Sequence, residues 1–393
     1  THEDAALDFG TEAGGAGFLI DVCDIVARLA QAERVEHLFV LSPSDQVDAC
    51  QRLVPADLAN RVTVRANRVN GSPFRNLVRA ARKWSLDGWR GGLGGTCSMD
   101  EYTRTDELAL LAQDESADAV LCASASSPLI DPGLTDEMIL QADQTENEAK
   151  ITFAQAPPGL VGTVYRRNLL FEMGEQRIPP GFVLSYKPDA PQMDLAFKSC
   201  CYTASESVRH AQGRLITDTD RSFQTASDFL ATGLPATAET IGRWLIERAD
   251  ARVGALPREI EIELTTDDQL SETKLRPRGL AIGVPARGPI DLKIVASIAI
   301  ELAAFDDSLV VLGGFGEPLL HPQFAEVLRI LRDAKIYGVA VRTNGLALDD
   351  AAIHAIIEHE VDIVSVTIDA WTPELYRAVH GADRLGEPRR PAE

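Results

Sequence analysis

The sequence has no surplus of positive charge, no apolar run of bilayer-spanning length and no cysteine beyond Cys201. Each absence excludes something. Against 59 Asp and Glu stand only 38 Lys and Arg, a formal net charge of −21. Nucleic acid and anionic membranes need a basic surface, so neither is expected as a partner. The acidity reads as a solubility feature. Without a signal peptide or a transmembrane-length segment, the expected location is cytoplasmic. The six cysteines, Cys23, Cys50, Cys97, Cys122, Cys200 and Cys201, show neither zinc nor redox spacing. Most fall in helix or strand contexts, so buried free thiols in a reducing compartment are expected. His210, His321, His354 and His380 form no zinc-like cluster. There is no internal repeat and no low-complexity segment.

What is present is ordinary globular composition, 45% hydrophobic and 25% charged over 393 residues, enough for two or three domains. Helical periodicity runs from Gly17 to Leu29 and from Pro73 to Trp84, the second with Phe74, Leu77, Val78, Ala81 and Trp84 near one face. Strands are predicted over 35–41, 61–66, 118–123 and 149–154, with a helix over 132–142. This alternation predicts an α/β fold, an N-terminal Rossmann-like open sheet. A helix near 240–247 marks the inter-domain region, and Leu256-Pro257 breaks into the next strand. The expected domains are 1–225, a helical linker 226–256, and 257–393.

The third segment is organised around Val310-Val311-Leu312-Gly313-Gly314-Phe315-Gly316-Glu317-Pro318. A short apolar, β-branched run meets a glycine-rich turn whose backbone can approach a ligand closely. An amphipathic helix follows, with Phe324, Val327, Leu328 and Leu331 on one face. Strands then run 338–342, ending in Thr343-Asn344-Gly345, and 362–368, ending in Asp369. Strand, helix, strand is the βαβ pattern of a parallel sheet. Thr343, Asn344 and Asp369 lie at strand C-terminal ends, where such sheets bind ligands.

This segment resembles the radical S-adenosylmethionine superfamily, through Gly313 to Pro318, Arg342-Thr343-Asn344-Gly345, and Val366-Thr367-Ile368-Asp369 followed by Pro373-Glu374-Leu375-Tyr376. The resemblance implies a partial (β/α) barrel with an S-adenosylmethionine site at Gly313, Gly314, Gly316, Glu317, Thr343, Asn344 and Asp369. It also implies three cysteines spaced C-x3-C-x2-C after the first barrel strand, read here as 259–266. Those positions hold Asp268, Glu272 and Leu275. Leucine cannot ligate iron and carboxylates replace thiolates poorly, so the sequence does not support a [4Fe–4S] cluster. About four barrel strands are visible, so 257–393 is read as a partial, truncated barrel. Its open edge is a place for a protein partner or oligomer.

The N-terminal segment resembles the nucleotidyltransferases of glycosyltransferase A-like fold, through the strand from Val120 and the turn Ser124-Ala125-Ser126-Ser127-Pro128-Leu129-Ile130-Asp131-Pro132. In that family the turn's first Asp binds catalytic magnesium; Ser126 stands in its place here, a weaker ligand for a hard cation. Asp218 or Asp220 resembles the segment supplying the second metal carboxylate. A basic helix carrying Arg79 and Arg82, then Arg90 and a glycine loop through Gly94, stands out against the acidic background. With Ser126 and Asp131 these residues are candidates to hold a nucleotide or sugar nucleotide by ion pairing and stacking. The alternative is a basic helix face anchored by Trp84 and Trp89.

Three functions stay open. One is a protein that binds S-adenosylmethionine, a nucleotide or a sugar nucleotide, with its cluster lost. A second is a magnesium-dependent nucleotidyl or glycosyl transferase. The third is a radical enzyme with an atypical cluster site.

Overall fold

The computed structural model describes residues 22–69, 72–251, 256–270 and 287–380. The chain divides into two compact units, Thr1–Val253 and Gly254–Glu393.

The first unit opens with α1 (Val22–Leu29), β1 (Leu38–Ser42), α2 (Val47–Leu53) and β2 (Val62–Ala66). β1 and β2 pair in parallel as a two-stranded sheet. Then come α3 (Ser72–Arg82), α4 (Thr105–Asp114), β3 (Ala119–Cys122), α5 (Pro132–Gln144), β4 (Ile151–Ala154), β5 (Thr163–Arg166), α6 (Arg167–Gln176), α7 (Pro180–Leu184) and β6 (Cys201–Tyr202). These strands form a second sheet in the order β3-β5-β4-β6. The unit closes with α8 (Glu206–Arg209), α9 (Asp220–Ala231) and α10 (Ala238–Ala251).

The α/β class is as the alternation predicts, with one difference. β5 runs antiparallel to both β3 and β4. Only residues 155–162 join β4 to β5, including Pro157-Pro158 and Gly159 at φ +96°. A parallel return needs a crossover of a dozen or more residues, so this link can make only a reversal. The domain boundary also differs. α9 and α10, placed in a linker by sequence, supply Phe229, Ile241 and Leu245 to a core cluster with Leu129, Leu160 and Leu215. Their apolar faces have partners inside the unit, and burial there favours docking over a free linker.

The second unit contains β7 (Glu259–Ile262), α11 (Leu292–Leu302), β8 (Leu309–Leu312), α12 (Phe324–Asp333), β9 (Gly338–Thr343), α13 (Asp350–Glu358), β10 (Ile363–Val366) and α14 (Pro373–His380). The four strands form one sheet in the order β10-β9-β8-β7, parallel throughout. α12 buries the four residues that the periodicity singles out, Phe324, Val327, Leu328 and Leu331. They pack in one cluster with Ile262, Leu264, Val310, Leu312, Val339 and Val341. Strand side chains alternate between faces. The intervening positions, Glu261 and Glu263 after β7's start, Gly313, and Arg342, therefore share the opposite face of the sheet. β7 itself is shorter than the predicted 259–266.

Candidate functional site

The loop after β8 is the best-defined polar feature of the second unit. Gly314 sits at φ +99°, a left-handed conformation that glycine adopts without strain. Gly316 admits no side chain, since a Cβ there would fall 1.5 Å from the Thr265 carbonyl oxygen. This geometry turns successive backbone N–H groups toward β7. Gly314 N donates to Glu261 Oε1 at 2.8 Å. Phe315 N and Gly316 N both donate to Glu263 Oε1, at 2.7 and 2.9 Å. The other Glu261 oxygen lies 3.1 Å from Arg342 Nη1. The chain's own carboxylates thus hold the shape of the loop.

Glu317 anchors the loop from behind. Its carboxylate is buried, 2% exposed. It accepts hydrogen bonds from Thr343 Oγ1 at 2.7 Å, Asn344 N at 2.8 Å and Leu319 N at 3.3 Å. Its own N–H donates to the Asp267 carbonyl at 2.8 Å. Burial raises the Glu317 carboxyl above its usual range, and the Asn344 amide and Thr343 hydroxyl partly offset this. Asn344 Nδ2 in turn donates to Asp268 Oδ1 and Gln269 Oε1, each at 3.1 Å. The ends of β7, β8 and β9 are therefore joined by one polar node at the C-terminal edge of a parallel sheet, the edge where α/β folds bind ligands. His321 braces the far side. Its Nδ1 accepts from Gln323 N at 3.1 Å, which leaves Nε2 to donate to the Ile290 carbonyl at 3.0 Å.

The structure brings Gly313, Gly314, Gly316, Glu317, Thr343, Asn344 and Asp268 together. Asp369 finds a different partner: its Oδ2 is 3.2 Å from Nε2 of buried His380 on α14. Glu272 and Leu275 lie outside the described residues. Glu261 and Glu263 were missed by sequence reasoning. The available signal was the strict alternation Glu259-Ile260-Glu261-Ile262-Glu263-Leu264, which lines three carboxylates along one strand face.

The first unit treats its candidates differently. Arg82 is wholly buried and donates through Nε to Glu101 Oε1 at 2.8 Å. Arg214 meets Glu101 at 2.5 Å and holds both oxygens of Asp218, at 2.8 and 2.6 Å. Arg79 lies 3.5 Å from Asp218 Oδ2. This is a buried ion network that knits α3 to the segments around Glu101 and Arg214. Burial would raise Asp218, but Arg214 and then Arg79 outweigh it and hold the carboxyl at about 2. Arg82 is therefore a core residue here, not a surface cation awaiting phosphate. The apolar helix face expected over Phe74, Leu77 and Val78 is buried only in part, since Phe74 and Leu77 are exposed while Val78 is buried.

The magnesium reading meets the same network. Both Asp218 oxygens are committed to Arg214, and Arg79 stands beside Oδ2, so the carboxylate's charge is already matched by two cations. Asp220 is an exposed first-turn residue of α9, where an acid favours the helix dipole. Ser126 is buried, and its carbonyl accepts from Thr217 N at 2.8 Å. Asp131 caps two helices at once, accepting from Leu134 N of α5 at 2.6 Å and Ala238 N of α10 at 2.9 Å. Arg90 makes a two-toothed pair with Asp194, at 2.9 and 2.5 Å, and covers the Trp89 ring at 4.4 Å. Gly94, at φ +66°, has open space around it. Among the described residues no group of three or more His, Cys, Asp or Glu is placed to hold a metal ion. Cys50, Cys97, Cys122, Cys200 and Cys201 are free and buried. Burial pushes the Cys122 thiol up to about 12 and Cys201 to about 11, which suppresses the reactive thiolate. No helix among the described residues is long and apolar enough to cross a membrane.

Three comparisons bear on these sites. Likeness among solved structures is slight. A cytidylyltransferase from Leptospira borgpetersenii serovar Hardjo-bovis (strain JB197) superposes with a TM-score of 0.36 at 13% identity, over 60% of this chain and 86% of that one. A score this low does not establish a shared fold. A probable GTP 3',8-cyclase of Methanocaldococcus jannaschii is 31% identical over 64 residues. That match covers 16% of this chain and spans only 21% of the relative. Residues 281–387 match the Radical SAM superfamily, and this matched stretch, with the Gly313–Glu317 loop inside it, falls wholly within the second unit.

Proposed function

We propose that the second unit binds a ligand of the S-adenosylmethionine class at the C-terminal edge of its sheet, and does so without an iron–sulfur cluster. One observation carries the reading. The Gly313–Gly316 loop is held in shape by the carboxylates of Glu261 and Glu263, on a sheet face that also carries the end of β8. The carboxylates of Glu261 and Glu263 beside the loop favour a ligand that brings positive charge, as an ammonium and a sulfonium do. The polar node of Glu317, Thr343 and Asn344 fixes this sheet edge before any ligand arrives, which lowers the ordering cost of binding.

The cluster does not fit the donors present. A [4Fe–4S] cluster needs thiolates, and the sequence contains no cysteine after Cys201. Asp268, one of the three positions expected to carry cysteine, is engaged instead by Leu270 N at 2.9 Å and by Asn344 Nδ2. No chemical step is therefore routed through iron, and the reading is one of binding or regulation.

Calorimetric titration tests it. S-adenosylmethionine should bind, S-adenosylhomocysteine, which lacks the sulfonium charge, should bind more weakly, and Glu263→Gln should narrow the difference. Equal affinity for the two ligands would remove the charge argument. Anaerobic iron and sulfide reconstitution should leave the visible absorbance flat, and a stoichiometric cluster band would overturn the proposal.

A further inference from the structure

The ion network of the first unit does not engage the whole of Arg82. The side chain is wholly buried. Its Nε donates to Glu101 at 2.8 Å and its Nη2 to the Gly88 carbonyl. Nη1 is buried with no hydrogen-bond partner among the described residues. The same holds for Trp84 Nε1 and Ser85 Oγ. Three orphaned donors thus fall within residues 82–85. A buried donor without an acceptor has lost its water and gained nothing in return, so native folds leave few of them. A cluster in one turn marks a place where something accepts.

Two of the three donors face the same turn. Arg82 ends α3, and the chain continues as a single 3₁₀ turn, Lys83–Ser85. Side chains three positions apart eclipse in that geometry, so Arg82 and Ser85 share a face. Glycines lie over it. A Cβ on Gly91 would stand 3.9 Å from Ser85 Cβ, and one on Gly92 would stand 2.9 Å from Arg82 Cδ. Nη1 is the guanidinium nitrogen cis to Cδ, so it lies on the Gly92 side of the fork. Gly92 N donates to the Thr96 carbonyl at 3.0 Å and closes the turn. Gly91 and Gly94 are exposed, so solvent reaches its outer side. The charge balance agrees. Arg79, Arg82 and Arg214 are set against Glu101 and Asp218, a surplus of one positive charge. Arg75 and buried Asp100 act on the network from beside it, one of each sign, and leave that balance unchanged. Asp100 itself is held by neutral donors, Cys97 N at 2.8 Å and Gly181 N at 2.7 Å.

We propose that the glycine turn over Arg82 and Ser85 encloses a small oxyanion, a phosphate group, bound through Arg82 Nη1 and Ser85 Oγ. The donors select the ligand. A guanidinium can only donate. Water can accept from it, but brings two hydrogens that need acceptors of their own. The carboxylate oxygens of Glu101, Asp218 and Asp100 are already engaged. An oxyanion offers acceptors alone and matches the surplus charge. Glycine at 91 and 92 lets backbone pass close over it, and Gly91 takes up φ +106° without strain. Enclosure is compatible with the core position of Arg82, since a buried charge is stable when it is paired and hydrogen-bonded. This site belongs to the first unit and is independent of the ligand proposed for the second.

Hydrogen-exchange mass spectrometry on the full chain tests this. Millimolar inorganic phosphate should slow the amides of 88–96 by roughly tenfold or more and leave the Gly313–Glu317 loop unchanged. Glycerol phosphate is the second probe. Protection by either supports the site, and the stronger of the two tells a free ion from the head of a larger ester. The effect should persist in about 0.5 M sodium chloride, because an enclosed pair is little screened. Sodium chloride alone should protect nothing. Ser85→Ala removes a hydroxyl with no described partner, so the fold should stand, while phosphate affinity read by calorimetry should fall about tenfold. Several outcomes overturn the proposal. No protection of 88–96 by either probe would mean that water satisfies these donors. Protection matched by chloride, or lost in high salt, would mean a surface ion atmosphere. Unchanged affinity in Ser85→Ala would place the phosphate elsewhere.

Discussion

Each unit buries a carboxylate, and each solves the problem differently. Asp218 in the first unit is matched with cations: Arg214 grips both its oxygens and Arg79 stands near. Glu317 in the second unit is matched with neutral donors, a hydroxyl and two backbone amides. Burial pushes both carboxyls up. In the first case the arginines reverse the effect and hold Asp218 at about 2. In the second the neutral donors only temper it, and Glu317 stays raised. The difference separates a charge used as structural cement from a charge left adjustable at the sheet edge where a ligand is proposed to bind. In an ion network of three arginines and two carboxylates, every carboxylate oxygen already faces a cation, which leaves none for a metal. A carboxylate held by neutral donors can change its protonation without leaving a buried cation behind.

The comparison can be broken by mutation, and the largest effect is expected at its strongest charge. Arg214→Met should leave buried Glu101 with Arg82 alone and Asp218 with Arg79 alone, and cost about 3–5 kcal/mol. Urea unfolding followed by tryptophan fluorescence reads this in a Trp371→Phe background, which confines the remaining signal to Trp84, Trp89 and Trp244 of the first unit. A loss well below 1 kcal/mol would show that the network contributes little. Next in size is Gly316→Ala, whose Cβ would meet backbone on both sides, with the Thr265 oxygen at 1.5 Å and its carbonyl carbon at 2.5 Å. Backbone cannot swing aside as a side-chain tip can, so a loss of about 3 kcal/mol in the second unit is expected.

The pH response sharpens the contrast because the two signs are opposite. Asp218 is lowered from 3.8 to about 2 in the folded chain. Its contribution is therefore present above the unfolded value and lost as pH falls from about 4 toward about 2, an effect of about 2 kcal/mol. Asp218→Asn should flatten that acid limb. Glu317 is raised, so its protonated form is favoured by folding: the associated stability is complete below the unfolded value and disappears as pH rises through the folded one. Glu317→Gln should flatten this opposite limb in the second unit. At neutral pH the same substitution should cost least of all, about 1 kcal/mol, because the amide oxygen still accepts from Thr343 or Asn344. A Glu317→Gln variant that loses several kcal/mol at pH 7 would mean that the full negative charge is required there.

The second unit was the more legible in sequence. The loop from Gly313, the helix face of Phe324, Val327, Leu328 and Leu331, and the strand ending in Thr343-Asn344 all stand where periodicity and turn chemistry put them. These are short-range features, in which residues a few positions apart decide the outcome. The first unit was read less completely. Its helices and most strands follow from local pattern, but Arg82 looked like a surface cation and is in the core. Its partner Glu101 is nineteen positions away and Arg214 lies 113 positions beyond Glu101. No helical or strand period links residues so far apart. The same limit hid the reversal of β5, whose sign was the shortness of the 155–162 link, and the pairing of Asp369 with His380 in place of the Glu317 node.

By itself the sequence determined the α/β class, the parallel sheet of the second unit, its glycine loop and the lack of thiolates near it. All of these follow from residue type and from spacing within one or two elements. Only the tertiary structure decided which charges are spent. It matched Arg82 and Arg214 with Glu101 and Arg214 with Asp218, and turned Glu261 and Glu263 onto the loop amides. Charge pairing and edge pairing depend on distance in space, and distance in space is set only when the whole chain has packed.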